Sequence, residues 1–336
     1  MTNLHSITLP DPIMNKKTMD KEQPAPRRFA SIGLWVLISL VVGYALIFGG
    51  YIATVVAFAL IYGVFVSGLN VFMGLTAQVS FGQSAFAAIG GYASAVLTTT
   101  YEWPVVPAML AGLVLSLLAA LVVGQPTLKL KGHYLSMATL AIGLIVYEIA
   151  VEWENVTQGY LGISGIPSLG VGPFEASSDR QILLTLFAIV IIVAFAVSRI
   201  RRSRIGRAFA AVAGSEEAAG ALGINVARYK LVSFLIAAGL ASISGSLFVH
   251  VVGYVSPEVF GLHMVILGFT MIYIGGLGTV AGPVLGALVV SLLPEVFRSL
   301  KESQDLAYAV TLILILIYAP RGLAGLAEAF DGRRTR

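Results

Sequence analysis

The chain has 336 residues, 57% hydrophobic and 11% charged, with a net charge of +4 and a mean hydropathy of +0.90. Soluble domains carry about 25% charged residues, so a soluble domain is excluded, and the apolar runs do not alternate in polarity as transmembrane barrel strands do. With no cysteine in the sequence, disulfides, thiol catalysis and thiolate metal sites are excluded as well.

Residues 1–28 are polar and contain three prolines. They read as a cytoplasmic tail without a core of its own. The apolar run Ile32–Phe48 is long for a signal-peptide core and has no small-x-small cleavage site before the next run, so it reads as a first span. A spanning helix needs about 20 mostly apolar residues. Ten segments qualify: 31–49, 52–71, 82–100, 105–124, 133–151, 181–198, 230–252, 262–279, 283–298 and 306–320. The expected fold class is all-α: a polytopic helical integral membrane protein of about ten spanning helices, or eight plus re-entrant segments.

Loop charges orient the chain. With ten alternating spans and the N-terminus inside, every Lys and Arg falls inside except Arg180, Arg298 and Lys301. Positive residues accumulate on the cytoplasmic side, which predicts both termini inside. Tyr101, Trp103, Trp153 and Tyr254 then fall at outer ends, where amphipathic rings favour the interface. The largest outer loop is 152–180, too short for a domain.

Polar side chains within a membrane face a bundle interior or a cavity. Asn70, Thr76, Gln78, Ser80, Gln83 and Ser84 form the densest such cluster, interrupted by Gly68, Gly74 and Gly82. This predicts a broken helix lining a translocation path, since non-helical backbone at membrane depth is tolerated beside protein or water. The competing reading is that Gly68, Gly74, Gly82, Gly90 and Gly91 only let helices pack closely. A second glycine-rich break runs from Gly275 to Gly286. Glu148 and Glu295 are the only acids within the spans, both near outer ends. His133 reads as an interface residue. No metal spacing, nucleophile–base pair or phosphate loop is present. No cofactor is expected, and any energy for transport must come from another subunit.

The only long internal loop is 199–229. Within it Ser215 is a candidate N-cap, and Glu216 and Glu217 suit the first turn of a short helix. Gly220 and Gly223 are expected to break that helix or to permit close approach. A short exposed helix on a membrane loop buries no core alone, so it reads either as a handle for a soluble partner or as an ordinary solvated loop helix.

Glu217-Ala218-Ala219-Gly220 followed by Gly223-Ile224 resembles the coupling loop of ABC importer permeases. The flanks Arg204-Ile205-Gly206-Arg207 and Leu222-Gly223-Ile224-Asn225 resemble the branched-chain amino acid permeases of the LivH/LivM type, more the LivM type. So do Gly68-Leu69-Asn70 through Gly82, Ile89-Gly90-Gly91-Tyr92, Lys131-Gly132-His133-Tyr134, Thr157-Gln158-Gly159, Val255-Ser256-Pro257, Gly275 to Gly286, and Pro320-Arg321-Gly322-Leu323. The ordered set covers roughly residues 60–325. The resemblance implies a permease domain over 29–325 and a basic cytoplasmic tail over 326–336. Glu216, Glu217, Ala218, Ala219, Gly220, Leu222 and Gly223 would couple to an ATPase. The implied partners are a second, LivH-like permease subunit, two cytoplasmic ABC ATPase subunits and a periplasmic substrate-binding protein. The surroundings would be the lipid of a bacterial inner membrane, with no nucleic acid involved. The implied cargo is a branched-chain or related amino acid, with urea or short amides as the alternative. An ATPase-independent channel or secondary transporter is the alternative from another class.

Three departures bear on substrate rather than class. Gln83 and Ser84 stand where many members have His and Ala. Leu144 stands where many have Glu, with Glu148 one helical turn on as a candidate stand-in. Ala213 and Gly214 replace charged residues that often precede the coupling helix.

Overall fold

A computed structural model describes residues 28–171, 174–175, 178–319 and 322–325. The tails at 1–27 and 326–336, together with Gly172 and Pro320-Arg321, lie outside the described residues. The chain runs through α1 (Arg28–Phe48), α2 (Gly50–Leu69), a π-helical turn (Asn70–Gly74), α3 (Gln83–Thr99), α4 (Val105–Thr127) and α5 (His133–Glu152). It continues with a short α6 (Glu154–Thr157) and three two-residue strands, β1 (Ile163–Ser164), β2 (Gly170–Val171) and β3 (Phe174–Glu175). Then come α7 (Asp179–Arg202), α8 (Arg204–Gly214), α9 (Glu216–Ala221), α10 (Val226–Val252), β4 (Tyr254–Val255), α11 (Leu262–Gly275), α12 (Gly282–Val296) and α13 (Gln304–Tyr318).

Each of the ten apolar segments read from the sequence carries a helix, although the one read as 262–279 is helical only to Gly275. Seven helical stretches among the described residues are long and apolar enough to cross a membrane: 50–74, 105–127, 133–152, 179–202, 226–252, 257–275 and one that begins at Gln304. The remaining three are shorter. The described apolar part of α1 is Ile32–Phe48, α12 has 15 residues, and α3 has 17. At 1.5 Å per residue α12 is about 22 Å long and α3 about 25 Å, against a hydrocarbon core of about 30 Å. Both start after a non-helical break, at 77–82 and 276–281. The helix positions therefore follow the sequence reading, while full crossing length belongs to fewer of them than expected.

The core forms around α10, which packs against α2, α3 and α4. Its buried face carries Ala237, Ala238, Ala241, Ser242, Gly245 and Ser246. In lipid, helix association depends on close van der Waals packing rather than on expelling water. A Cβ on Gly245 would overlap the Ala87 carbonyl of α3. Serine hydroxyls add polar ties at this seam. Ser246 Oγ donates to the Gly90 carbonyl at 3.0 Å and Ser244 Oγ to the Ile61 carbonyl at 2.9 Å. Close packing therefore accounts for Gly90, as the competing reading of the glycines held. Phe234 fills the next layer, edge-on to Phe72 and Phe86 with ring centroids 5.4 and 5.3 Å away.

The 152–180 loop is more ordered than a plain connection. β1 pairs antiparallel with β4, with Ile163 opposite Val255, and β2 pairs with β3. His250 is fully buried near the end of α10, with Nε2 2.7 Å from Ser94 Oγ and Nδ1 2.7 Å from the Pro167 carbonyl. The Tyr254 hydroxyl donates to the Leu161 carbonyl at 3.0 Å. Loop, α3 and α10 are thus fastened together at one end of the bundle. Tyr101, Trp103, Trp153 and Tyr254 are all exposed there. Glu295 pairs with Arg298 at 3.2 Å, and Arg298 also lies over the Tyr51 ring at 4.9 Å.

Candidate functional site

The 199–229 region is mostly helix. Residues 199–202 are the last turn of α7, and the chain turns at Ser203. There Ser203 Oγ accepts from the backbone amides of Ile205 at 3.1 Å and Gly206 at 3.3 Å, capping α8. Helix α8 buries Gly206, Ala208, Phe209 and Val212 and exposes Arg204 and Arg207. Sequence reasoning took this stretch as loop. The signal was the helical spacing of Ile205, Ala208, Phe209 and Val212, masked by the short length and the flanking arginines.

Helix α9 forms where expected, with Ser215 Oγ accepting from the Ala218 amide at 3.2 Å. Gly220 does not break it, because the helix runs on to Ala221. Gly223, at φ +82°, ends it. Of the predicted coupling residues, Ala219 is buried, whereas Glu217, Ala218, Gly220, Leu222 and Gly223 are exposed. Leu222 has 82% of its surface open, a large apolar side chain offered at the tip of a polar turn.

Glu216 points the other way. Its Oε1 lies 2.5 Å from Lys230 Nζ in α10 and accepts from Gln78 Nε2 at 3.1 Å. Lys230 is only 2% exposed. A charge taken that far out of water needs a partner, and Glu216 supplies it. Gln78 also donates to the Thr76 carbonyl at 3.2 Å. One carboxylate therefore joins α9, α10 and the break that follows α2. Sequence reasoning grouped Glu216 with its exposed neighbours and did not single out Lys230.

The six polar residues of the expected path are all buried, but they do different things. Asn70 locks the two helix breaks together: its Nδ2 donates to the Thr279 carbonyl at 2.6 Å, and its Oδ1 accepts from the Gly278 amide at 2.8 Å. Gly74 permits this approach, since a Cβ there would strike Asn70 and Gly278. Thr76 Oγ1 donates to the Phe72 carbonyl at 2.5 Å. Gln78 makes the link to Glu216. Ser80 accepts from the Gly82 amide at 3.4 Å, and the neighbouring Phe81 amide donates to Thr139 Oγ1 of α5 at 3.1 Å. Gln83 is 2% exposed, with neither side-chain amide atom hydrogen-bonded. Ser84 lines a cavity of about 290 Å³ between α3, α5 and α11. Leu144 lines that cavity too, but Glu148 does not and is exposed. Glu148 therefore does not stand in for a carboxylate at the Leu144 position. It sits one residue beyond Tyr147 and is open to the surface.

A family model described as "Branched-chain amino acid transport system / permease component" matches residues 51–319. The chain belongs to this permease family. The match begins at the start of α2 and ends at the end of α13, so it takes in α9, both helix breaks and the cavity. The permease is 33% identical over 282 residues to the high-affinity branched-chain amino acid transport system permease protein LivM of Salmonella typhimurium, covering 76% of this chain and 66% of that protein. It is 30% identical over 199 residues to the LivH permease protein of the same species, covering 56% of this chain and 63% of that one. It is 30% identical over 175 residues to the permease protein BraD of Pseudomonas aeruginosa, covering 48% and 56%. The permease thus matches about two thirds of the length of its LivM relative.

Proposed function

We propose that this permease is the membrane subunit of an ABC importer for branched-chain amino acids. In this reading it pairs with a second permease subunit of the LivH type. Two cytoplasmic ABC ATPases drive the pair, and a periplasmic binding protein delivers the cargo. The complex sits in the inner membrane of a bacterium, with both termini of this chain in the cytoplasm. The carrying observation is the division of labour within α9. Glu217 on its exposed face and Leu222 just past its end are open to a soluble partner, while Glu216 is pinned inward to Lys230 and Gln78.

This arrangement supplies a mechanism for alternating access. Closure of the ATPases displaces α9. Glu216 passes the displacement to α10 through Lys230 and to the 77–82 segment through Gln78. That segment is non-helical, so it can shift without melting a helix. The names of the relatives favour leucine, isoleucine and valine over urea or short amides. The test is reconstitution with the partner subunits. ATP-dependent uptake of labelled leucine, with ATPases co-purifying, is the expected result. Uptake that survives ATP depletion, with no ATPase bound, would instead establish a channel or secondary transporter.

A further inference from the structure

The 290 Å³ cavity and the unpaired amide of Gln83 are parts of one feature. The cavity falls just below the usual range of small-molecule sites, about 300–1,000 Å³. Its walls are aliphatic at Leu140, Leu144, Leu262 and Val265, and its polar lining residues include Glu258 and Tyr147. Behind it lies a seam too tight for a water molecule. Chamber and seam share Phe81, Ser84 and Val265 as lining. The seam adds Ser80, Gln83 and Phe269. Phe81 and Phe269 stack with ring centroids 4.5 Å apart, closing the seam.

Gln83 supplies an independent sign that something passes here. A buried amide with no partner carries an uncompensated desolvation cost, and such groups are rare in native structures. It presents both a donor and an acceptor, which suits the ammonium and carboxylate of a zwitterion. The Glu258 carboxylate suits the ammonium alone, and the aliphatic walls suit a branched hydrocarbon side chain.

We propose that this chamber receives an aliphatic amino acid, and that the stacked Phe81–Phe269 pair is the gate between it and the occluded seam at Gln83. The proposal rests on the permease reading above and gives its path specific residues. It also explains how the gate is worked. Phe81 sits on the 77–82 segment, three residues from Gln78, which Glu216 of α9 holds. Movement of α9 therefore reaches the gate through a single short stretch of backbone.

The experiment uses the complete importer in proteoliposomes with labelled leucine. Gln83→Leu removes an amide that bonds to nothing, so a purely structural role predicts an unchanged or higher melting temperature and unchanged uptake. The gate reading predicts an unchanged or higher melting temperature with uptake lowered about ten-fold or more, the effect of losing one hydrogen bond to a charged group. Leu144→Trp, which fills the chamber, should lower uptake similarly while the ATPases stay bound. Because the chain has no cysteine, single thiols report access directly, read on this chain by mass after treatment with a small methanethiosulfonate ammonium reagent. Leu144→Cys, half-exposed in the chamber wall, should react in the resting complex, and Ser80→Cys only during ATP turnover. Wild-type uptake in Gln83→Leu and Leu144→Trp, or a Leu144→Cys thiol that never reacts, overturns the proposal. A wild-type complex that takes up no leucine refutes the importer reading instead, and the thiol pattern still decides whether the chamber and gate exist.

Discussion

The Glu216–Lys230 pair makes a prediction whose sign depends on which partner is removed. Lys230 has 3% of its side chain exposed and Glu216 has 24%. Glu216→Leu leaves a buried ammonium with no counter-charge, a defect that costs about 3–5 kcal/mol. Lys230→Met leaves a carboxylate that can reach water and still accepts from Gln78, so its cost is about 1–2 kcal/mol. The double variant Glu216→Leu/Lys230→Met replaces an ion pair with apolar packing, which is commonly neutral or stabilising, and should melt within about 1 kcal/mol of the wild type. Denaturant melts of the purified complex measure the stabilities, and ATP-dependent uptake measures coupling. The stable double variant should still fail to transport, because nothing then joins α9 to Gln78. Equal destabilisation by the two single variants would refute the burial argument. Wild-type uptake by the double variant would refute the coupling argument.

Glu217→Lys puts a cation in the first turn of α9, against the helix dipole, on a face that is exposed. It should leave insertion and melting intact while abolishing ATPase co-purification and uptake; normal uptake would count against the docking role. Asn70→Ala strands the Gly278 amide and the Thr279 carbonyl, at about 1–3 kcal/mol for each buried group left unpaired. Its denaturant midpoint should drop clearly, and an unchanged midpoint would show that the two breaks do not depend on that side chain. Gly245→Val drives a side chain into Ala87 of α3, where overpacking costs about 1–3 kcal/mol. A fall in the yield of folded protein is expected, and a wild-type yield would mean that α10 and α3 can separate freely.

The helices were legible because hydrophobic runs are a local signal, readable from each segment by itself. Ser215 as the cap of α9 was legible for the same reason, since a cap acts within three residues. Contacts made across the chain left no such mark. Gln78 and Glu216 are 138 residues apart, and neither shows in its own neighbourhood that the other is its partner. The β1–β4 pairing was hidden likewise, because two-residue strands have no alternation to read. The polar cluster at 70–84 was visible as a group, yet its division into a tie (Asn70), a link (Gln78) and an unpaired amide (Gln83) depends on what α5, α9 and the 276–281 break bring near it. Gly220 misled because glycine weakens a helix without forbidding it, and only Ala221 follows it in α9.

Helix α10 has one end in the Glu216 clamp and the other in the strand-bound loop held by His250. Lys230 and His250 are twenty residues apart, about 30 Å along a continuous helix. Over that length a tilt of about 5° moves the far end by about 2.6 Å, close to the length of a hydrogen bond. The helix therefore works as a lever whose two ends cannot be set independently. In the proposed importer, a binding protein seated on the loop at 163–167 and an ATPase gripping α9 would compete for, or cooperate over, the same tilt. Occupancy at one face would then register as a change in affinity at the other, with no signal passing through the chamber between them.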